Sequence, residues 1–260
     1  MAEIILFGVS VLPVILLGLY IYKKDKNKEP TRLLIKLFVG GVLSCFLTLF
    51  ITEVITVFIP FFGSDPQKLS ALELIPYVFI GIALIEETSK FIFVYKFSFN
   101  EIDFDELYDG LLYAGFVALG FACFENLAYV YSSGISVGIL RAVLAVPGHF
   151  CDGIMMGYFL GNAKYHSLHN NDSKKKLNLF YAILVPMLMH GFYDYCLFAQ
   201  LDLLLILFFI FVIVTYIYVS KKIKKISEIN KKMKYKNNFC PNCGAKVESD
   251  FCPKCGNKNQ

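Results

Sequence analysis

Two carboxylates and an ammonium interrupt an apolar run at residues 84–93, LIEETSKFIF, where Glu86, Glu87 and Lys90 sit among Ile, Leu, Phe and Val. Charge in such a setting costs about 2.5–3.5 kcal/mol per residue on membrane-insertion scales, so it marks a functional candidate. Helical spacing relates the three. Glu86 and Lys90 are i,i+4, and Glu87 and Lys90 are i,i+3, so one ammonium reaches either carboxylate. Further apolar stretches carry Glu125 and Asn126, then Arg141, His149 and Asp152, then His190 and Asp194. His190 and Asp194 are i,i+4, a spacing at which a carboxylate holds an imidazole N–H and fixes its tautomer; His149 and Asp152, at i,i+3, allow the same. Carboxylates, imidazoles and an ammonium are the groups of acid–base hydrolysis or of proton and metal-ion handling. Each pair alone reads equally well as polar glue between helices. Four consecutive apolar stretches with such groups at mid-depth read as one cavity between mid-membrane and the outer leaflet. Glu53 and Arg141 read as structural or interfacial.

The elements that must position these groups are membrane helices. Of the 260 residues 57% are hydrophobic, with 26 Phe and only 18% charged, too little charge for a soluble domain of this size. The apolar residues come in blocks of the roughly 20 residues that cross a bilayer. Seven spans are expected, at 3–22, 33–62, 72–97, 107–132, 135–163, 177–199 and 201–220, forming an all-α membrane domain over 1–220. The second and fifth are longer than a bilayer requires, so tilt or a kink is expected; Pro147-Gly148 in the fifth and Pro186 in the sixth support that. Only MAE precedes the first run, which therefore reads as a retained span and not a removed signal peptide.

Lysines cluster at 22–32, 172–178 and 220–236, whereas GSDPQKLS, SSG and AQLD are short and nearly free of them. The positive-inside rule then gives an N-out, C-in chain, with 221–238 as a basic inner linker. The acidic loop with Glu101, Asp103, Asp105, Glu106 and Asp109 falls inside and is expected to be solvated. No aromatic residues interleave with the lysines, so no nucleic-acid partner is expected. No internal repeat is visible, which disfavours a transporter built of inverted halves.

Residues 239–258 are a different object. Cys240-x2-Cys243 and Cys252-x2-Cys255, each followed closely by Gly, suit four thiolates around a structural zinc ion, with iron in a rubredoxin-like site as the minor reading. So short a segment builds no core, and the metal must supply its folding energy. A zinc ribbon on the inner side agrees with the lysine topology and could dock a cytoplasmic partner. Cys45, Cys123, Cys151 and Cys196 lie in apolar spans and read as packing residues.

The motifs in order, EETSK (86–90), FACFEN (121–126), His149 in PGHFCDG and HGFYD (190–194), resemble the PrsW family through its EExxK, FxxxE and HxxxD patterns over about residues 1–200. The resemblance implies an intramembrane endopeptidase related to the CAAX prenyl protease and bacteriocin-immunity families. It would cut a single-span, membrane-anchored protein of the anti-sigma-factor kind, in the bacterial plasma membrane. It also implies Glu86 and Glu87 as the essential pair that activates water, Glu125 as the FxxxE acid, and His190 with Asp194 as the HxxxD pair. Relatives with FxxxH have a histidine at the position of Glu125, which leaves that role open, and the ribbon is an addition to the family's core. Hydrolysis would use Glu86 or Glu87 as base, His190 as oxyanion or proton donor, Glu125 to hold the water, and Lys90, Asn126 and His149 in support. No catalytic cofactor is expected, and a metal held by Glu and His ranks below the metal-free route. There is no HExxH helix, SSGIS is not a rhomboid-type serine site, and no presenilin-like Asp pair stands out. The competing reading is a non-enzymatic transporter or binding protein whose polar cavity handles protons or metal ions.

Overall fold

The computed structural model describes residues 2–229 and Lys254–Cys255, and among these all regular structure is helical. The zinc-ribbon reading therefore lies outside the described residues, apart from an exposed Cys255. Helices α1 (Ala2–Lys24), α2 (Thr31–Phe58), α5 (Leu107–Ser133) and α9 (Asp202–Ile229) are each long and apolar enough to cross a membrane, as is the combined stretch Ile135–Leu168. These are five candidate spans. The other two expected spans are also helical but polar or broken. Residues 71–98 form α3 (Ala71–Pro76), a π-helical segment (Tyr77–Leu84) and α4 (Ile85–Ser98). Helix α8 (Asp172–Phe198) carries His190, Tyr193 and Asp194 in its apolar half. The two stretches that depart from the apolar pattern are the ones that bear EETSK and HGFYD.

Helix α5 is the centre of the bundle. Of its most apolar window 78% is buried, against 17% for α1 and α9. The outer helices turn Leu16, Phe50, Phe209 and Ile213 outward, the apolar surface a lipid environment accepts. Glycine pairs let the backbones meet around α5. A methyl on Gly120 would collide with the Phe38 carbonyl of α2, and one on Gly157 with the Gly110 carbonyl of α5.

The fifth expected span is two helices, α6 (Ile135–Val143) and α7 (Ala145–Leu168), separated at Leu144. Pro147 explains the break, because proline lacks an N–H and its ring crowds the carbonyl four residues back, that of Val143. Pro186 lies within an unbroken α8.

One expectation is corrected at the inner end. The acidic loop is not uniformly solvated, because Glu106 and Asp109 are buried. Asp109 Oδ2 accepts from the backbone N–H groups of Asp105 at 3.0 Å and Glu106 at 2.7 Å, satisfying donors at the start of α5, and Asn27 Nδ2 donates to Glu106 Oε1. Cys45, Cys123, Cys151 and Cys196 are buried and free.

Candidate functional site

The site begins where the π-helical segment becomes α4. Irregular π turns are frequent at functional sites. Here the segment docks on α8, with Phe79 packed so closely on Gly191 that a methyl there would overlap its ring. That contact lies next to His190 and holds the start of α4 against α8. Glu86, Glu87 and Lys90 follow on α4, and all three are buried.

Lys90 is the hub. Its Nζ donates to Glu87 Oε1 at 2.7 Å, lies 3.6 Å from Glu86 Oε2, and sits 3.2 Å from His149 Nδ1 on α7. The Phe121 ring of α5 lies beneath the ammonium, 4.0 Å from Nζ to the ring centroid, a cation–π contact. The phenylalanine of FACFEN thus has a part that the sequence reading did not give it. An ammonium only donates, so His149 Nδ1 accepts from it and the ring hydrogen sits on Nε2. That Nε2 lies 2.7 Å from Glu125 Oε2. The expected His149–Asp152 pair gives way to this Lys90–His149–Glu125 chain, because two charged partners on α4 and α5 outcompete a neighbour on the same helix.

His190 is flanked by two acids. Its Nδ1 lies 2.9 Å from Glu87 Oε1, and its Nε2 lies 3.4 Å from Asp194 Oδ2. Both ring nitrogens face carboxylate oxygens, so both are satisfied only when each carries a hydrogen. Asp194 lies one turn away as its spacing predicts, but Glu87, on another helix, is the closer partner.

Arg141 belongs to this constellation, against the structural or interfacial reading of its sequence. Its Nη2 donates to Glu125 Oε2 at 2.7 Å, its Nε to Asn126 Oδ1 at 3.2 Å, and its guanidinium lies 4.0 Å from the Tyr129 ring centroid. Asn126 is buried and spends its own Nδ2 on the Ser10 carbonyl of α1, 3.0 Å away. Glu53 lies apart, exposed on α2.

These groups surround a cavity of 360 Å³. Glu86, Glu125, Arg141, His149, Asp152 and His190 line it, with Asp194 at one side and apolar residues of α8 and α9 at another. Glu87 does not line it; that side chain is wholly buried behind Lys90 and His190. Five carboxylates (Glu86, Glu87, Glu125, Asp152, Asp194) face two fixed cations, Lys90 and Arg141. The imbalance calls for protons, water or a cation.

A divalent ion fits the donors once it takes the place of Lys90 at His149 Nδ1 and of one His190 hydrogen. Glu86, Glu87, His149 and His190 each offer a ligand atom within 4.8 Å of the others, and Glu86 Oε2 and Glu87 Oε2 are buried without hydrogen-bond partners. Carboxylate and imidazole are suited to divalent transition metals. The sequence expects no catalytic cofactor and ranks a metal held by Glu and His below the metal-free route; these four residues are where such a metal would sit.

Comparison with known proteins covers the stretch of chain that builds the cavity. Protease PrsW of Oceanobacillus iheyensis is 36% identical over 228 residues, covering 86% of this chain and 99% of that one. Protease PrsW of Clostridioides difficile is 31% identical over 237 residues, 89% of this chain and 95% of the relative. That of Geobacillus kaustophilus is 34% identical over 196 residues, 75% and 80% respectively. No solved structure matches. The family model described as PrsW family intramembrane metalloprotease matches residues 29–219, which take in every group of the cavity, and this chain belongs to that family.

Proposed function

We propose that this integral membrane protein is an endopeptidase that hydrolyses a peptide bond of a membrane-anchored protein inside its polar cavity. The observation that carries the reading is the convergence of Glu86, Glu125, His149 and His190, from four helices, on one 360 Å³ space. A transporter of protons or ions would need such groups along a path; here they close around a single point. The substrate class, a single-span protein of the anti-sigma-factor kind, rests on family resemblance.

The roles follow from position. Glu86 lines the cavity and, unlike Glu87, makes no side-chain hydrogen bond among the described residues, Lys90 lying 3.6 Å from its buried Oε2, so it is the carboxylate free to take a proton from water. Glu87, held by Lys90 at 2.7 Å and His190 at 2.9 Å, positions both. His190, with hydrogens on both nitrogens, supplies a donor for the developing oxyanion and the proton for the leaving amine. Glu125 lines the same space with its Oε2 held by Arg141 and His149, which leaves Oε1 as the acceptor.

The four-donor group supports a second, metal-assisted form of the same reaction. Glu86, Glu87, His149 and His190 would hold the ion, which when bound polarises the scissile carbonyl and acidifies a water. With an ion held there, Glu86 and His190 would serve as ligands, and Glu125 and Asp194, which line the same space, would be left to move the proton to the amine.

The seven-span, N-out and C-in arrangement in a bacterial plasma membrane is part of this proposal, supported by the lysine clusters and by the helical 71–98 and 172–198 stretches. So is a zinc ribbon formed by Cys240, Cys243, Cys252 and Cys255, supported by their spacing and free to engage a cytoplasmic partner. The test is cleavage of single-span substrates by the purified protein in lipid, with Glu86→Gln, Glu87→Gln and His190→Ala as controls. Cleavage lost in all three supports the reading, and equal cleavage by the variants rejects it. Repeating the assay with a chelator on protein whose four ribbon cysteines are serine separates the two forms.

A further inference from the structure

Helix α9 closes one side of the cavity with Phe211, Val212, Thr215 and Tyr216, and the α6–α7 break contributes Leu144 and Ala145 to the same space. At that break Pro147 has no N–H to give the Val143 carbonyl, so this acceptor has lost its helical donor. A side chain from α9 takes the donor's place. Tyr216 Oη lies 2.9 Å from Val143 O and 3.0 Å from Leu144 O, while Leu144 O also accepts from Gly148 N at 2.9 Å. Among the described residues the Val143 carbonyl is therefore held by a single hydroxyl on a neighbouring helix, which a competing donor can replace without unwinding anything.

Val143 is exposed beside the cavity and does not line it, so a peptide entering past α9 meets this carbonyl on its way in and brings such a donor. Hydrolysis needs the bond beside Glu86 in extended form, and an extended backbone inside a membrane must find partners for its freed N–H groups. Main-chain pairing is the usual way proteins hold an extended peptide. The wall that carries Tyr216 is also the least embedded. Phe209, Ile210, Ile213 and Val214 of α9 are exposed on its outer face, and among the long spans it shares the lowest buried fraction with α1.

We propose that the Val143 carbonyl is a substrate subsite: a backbone N–H of the extended substrate donates to it in place of Tyr216 Oη, which acts as its latch. The inference rests on the endopeptidase reading above. It assigns to Tyr216 and Val143 a part in holding substrate, not in the chemistry.

The test is a thermodynamic cycle on the full chain in lipid nanodiscs, with a cleaved peptide and a series of its analogues N-methylated at one backbone position each. In the wild type, methylation at one position near the scissile bond raises KM. In Tyr216→Phe, which keeps the ring and removes the hydroxyl, the parent peptide has a KM about 3- to 10-fold lower, and the methylation penalty at that position grows by the same factor, the range of one net hydrogen bond. Hydrogen exchange over residues 140–148 is faster in the variant without substrate. An equal penalty at every position in both proteins overturns the proposal, as does an unchanged KM with unchanged exchange. A wild type that cuts no peptide at all would instead reject the endopeptidase reading.

Discussion

Glu125 Oε2 lies 2.7 Å from His149 Nε2, and that contact ties α5 to α7 at the centre of the site. The same oxygen accepts from Arg141 Nη2 at 2.7 Å. Arg141 and His149 are eight residues apart, about 12 Å along an unbroken helix. The break at Leu144, together with the length of the arginine side chain, lets both reach one atom. Arg141 is accordingly a positioning residue for Glu125. Arg141→Gln should lower kcat by about 10- to 100-fold, the effect of a displaced reacting group, while changing KM little. Arg141→Lys, which keeps the charge but not the fork that also serves Asn126 Oδ1, should recover only part of the loss. Full activity in Arg141→Gln would remove Arg141 from the machinery.

Glu86 and Glu87 are adjacent in sequence but not equivalent in setting. Glu86 faces the cavity without a hydrogen-bond partner, and Glu87 is enclosed between Lys90 and His190. Glu86→Gln should abolish cleavage by about 100-fold or more and leave thermal stability close to wild type. Glu87→Gln should lose cleavage and stability together, because a buried ammonium without its partner costs about 3–5 kcal/mol. Melting of the two variants by scanning fluorimetry decides the matter: a less stable Glu86→Gln would reverse the assignment.

The chemistry of this chain was more legible than its packing. EETSK and HGFYD could be paired by helical spacing alone, because i,i+3 and i,i+4 neighbours share a face whatever the tertiary structure. Contacts between helices carry no such local mark. Spacing suggested Asp152 for His149 and only Asp194 for His190, whereas Glu125 and Glu87 come from other helices. Arg141 could have been found from two signals already present, a charge inside an apolar span and the Pro147 that breaks that span. Glu106 and Asp109 were misread because a loop's acidity says nothing about which side chains fold beneath it to meet the first N–H groups of a helix. The apolar blocks told where helices would form, but not that α5 is the buried one; its glycines at 110 and 120 are the sequence trace of that position.

Those glycines make a prediction of their own. At Gly120 an added methyl meets the Phe38 carbonyl, and at Gly157 the Gly110 carbonyl, so the obstruction is backbone and cannot rotate away. Gly120→Ala and Gly157→Ala should each destabilise the protein by about 1–3 kcal/mol, the range for overpacking. Gly8→Ala, where nothing lies within 4 Å of the new methyl, is the matched control and should be neutral or slightly stabilising. Thermal unfolding in one detergent compares all three, and a neutral Gly120→Ala would show that α2 and α5 can part without cost.

The inner end sets a pH dependence. Glu29, in the loop between α1 and α2, is buried, and burial pushes its carboxyl from 4.5 up to about 7. The charges of Asp25, Asp103 and Asp105 push the same way, against the hydrogen bond donated by the Tyr113 hydroxyl. Asp25 is raised as well, by burial first and by Glu106, and opposed by the N–H of Asn27 and by Lys28. A carboxyl raised on folding binds its proton more tightly in the native state. Its contribution to stability is therefore fully present below about pH 4.5, falls as pH rises towards about 7, and is gone above that. Glu29→Gln keeps an acceptor for Tyr113 and removes the titration. The variant should match the wild type near pH 5 and melt about 2–4 °C higher near pH 8, a gain on the order of 1 kcal/mol for a chain of this size. Asp25 remains in the variant, so some slope should persist. A melting difference that shrinks as pH rises would mean that Glu29 is already ionised at acid pH in the folded protein, with the loop lysines near enough to hold its charge.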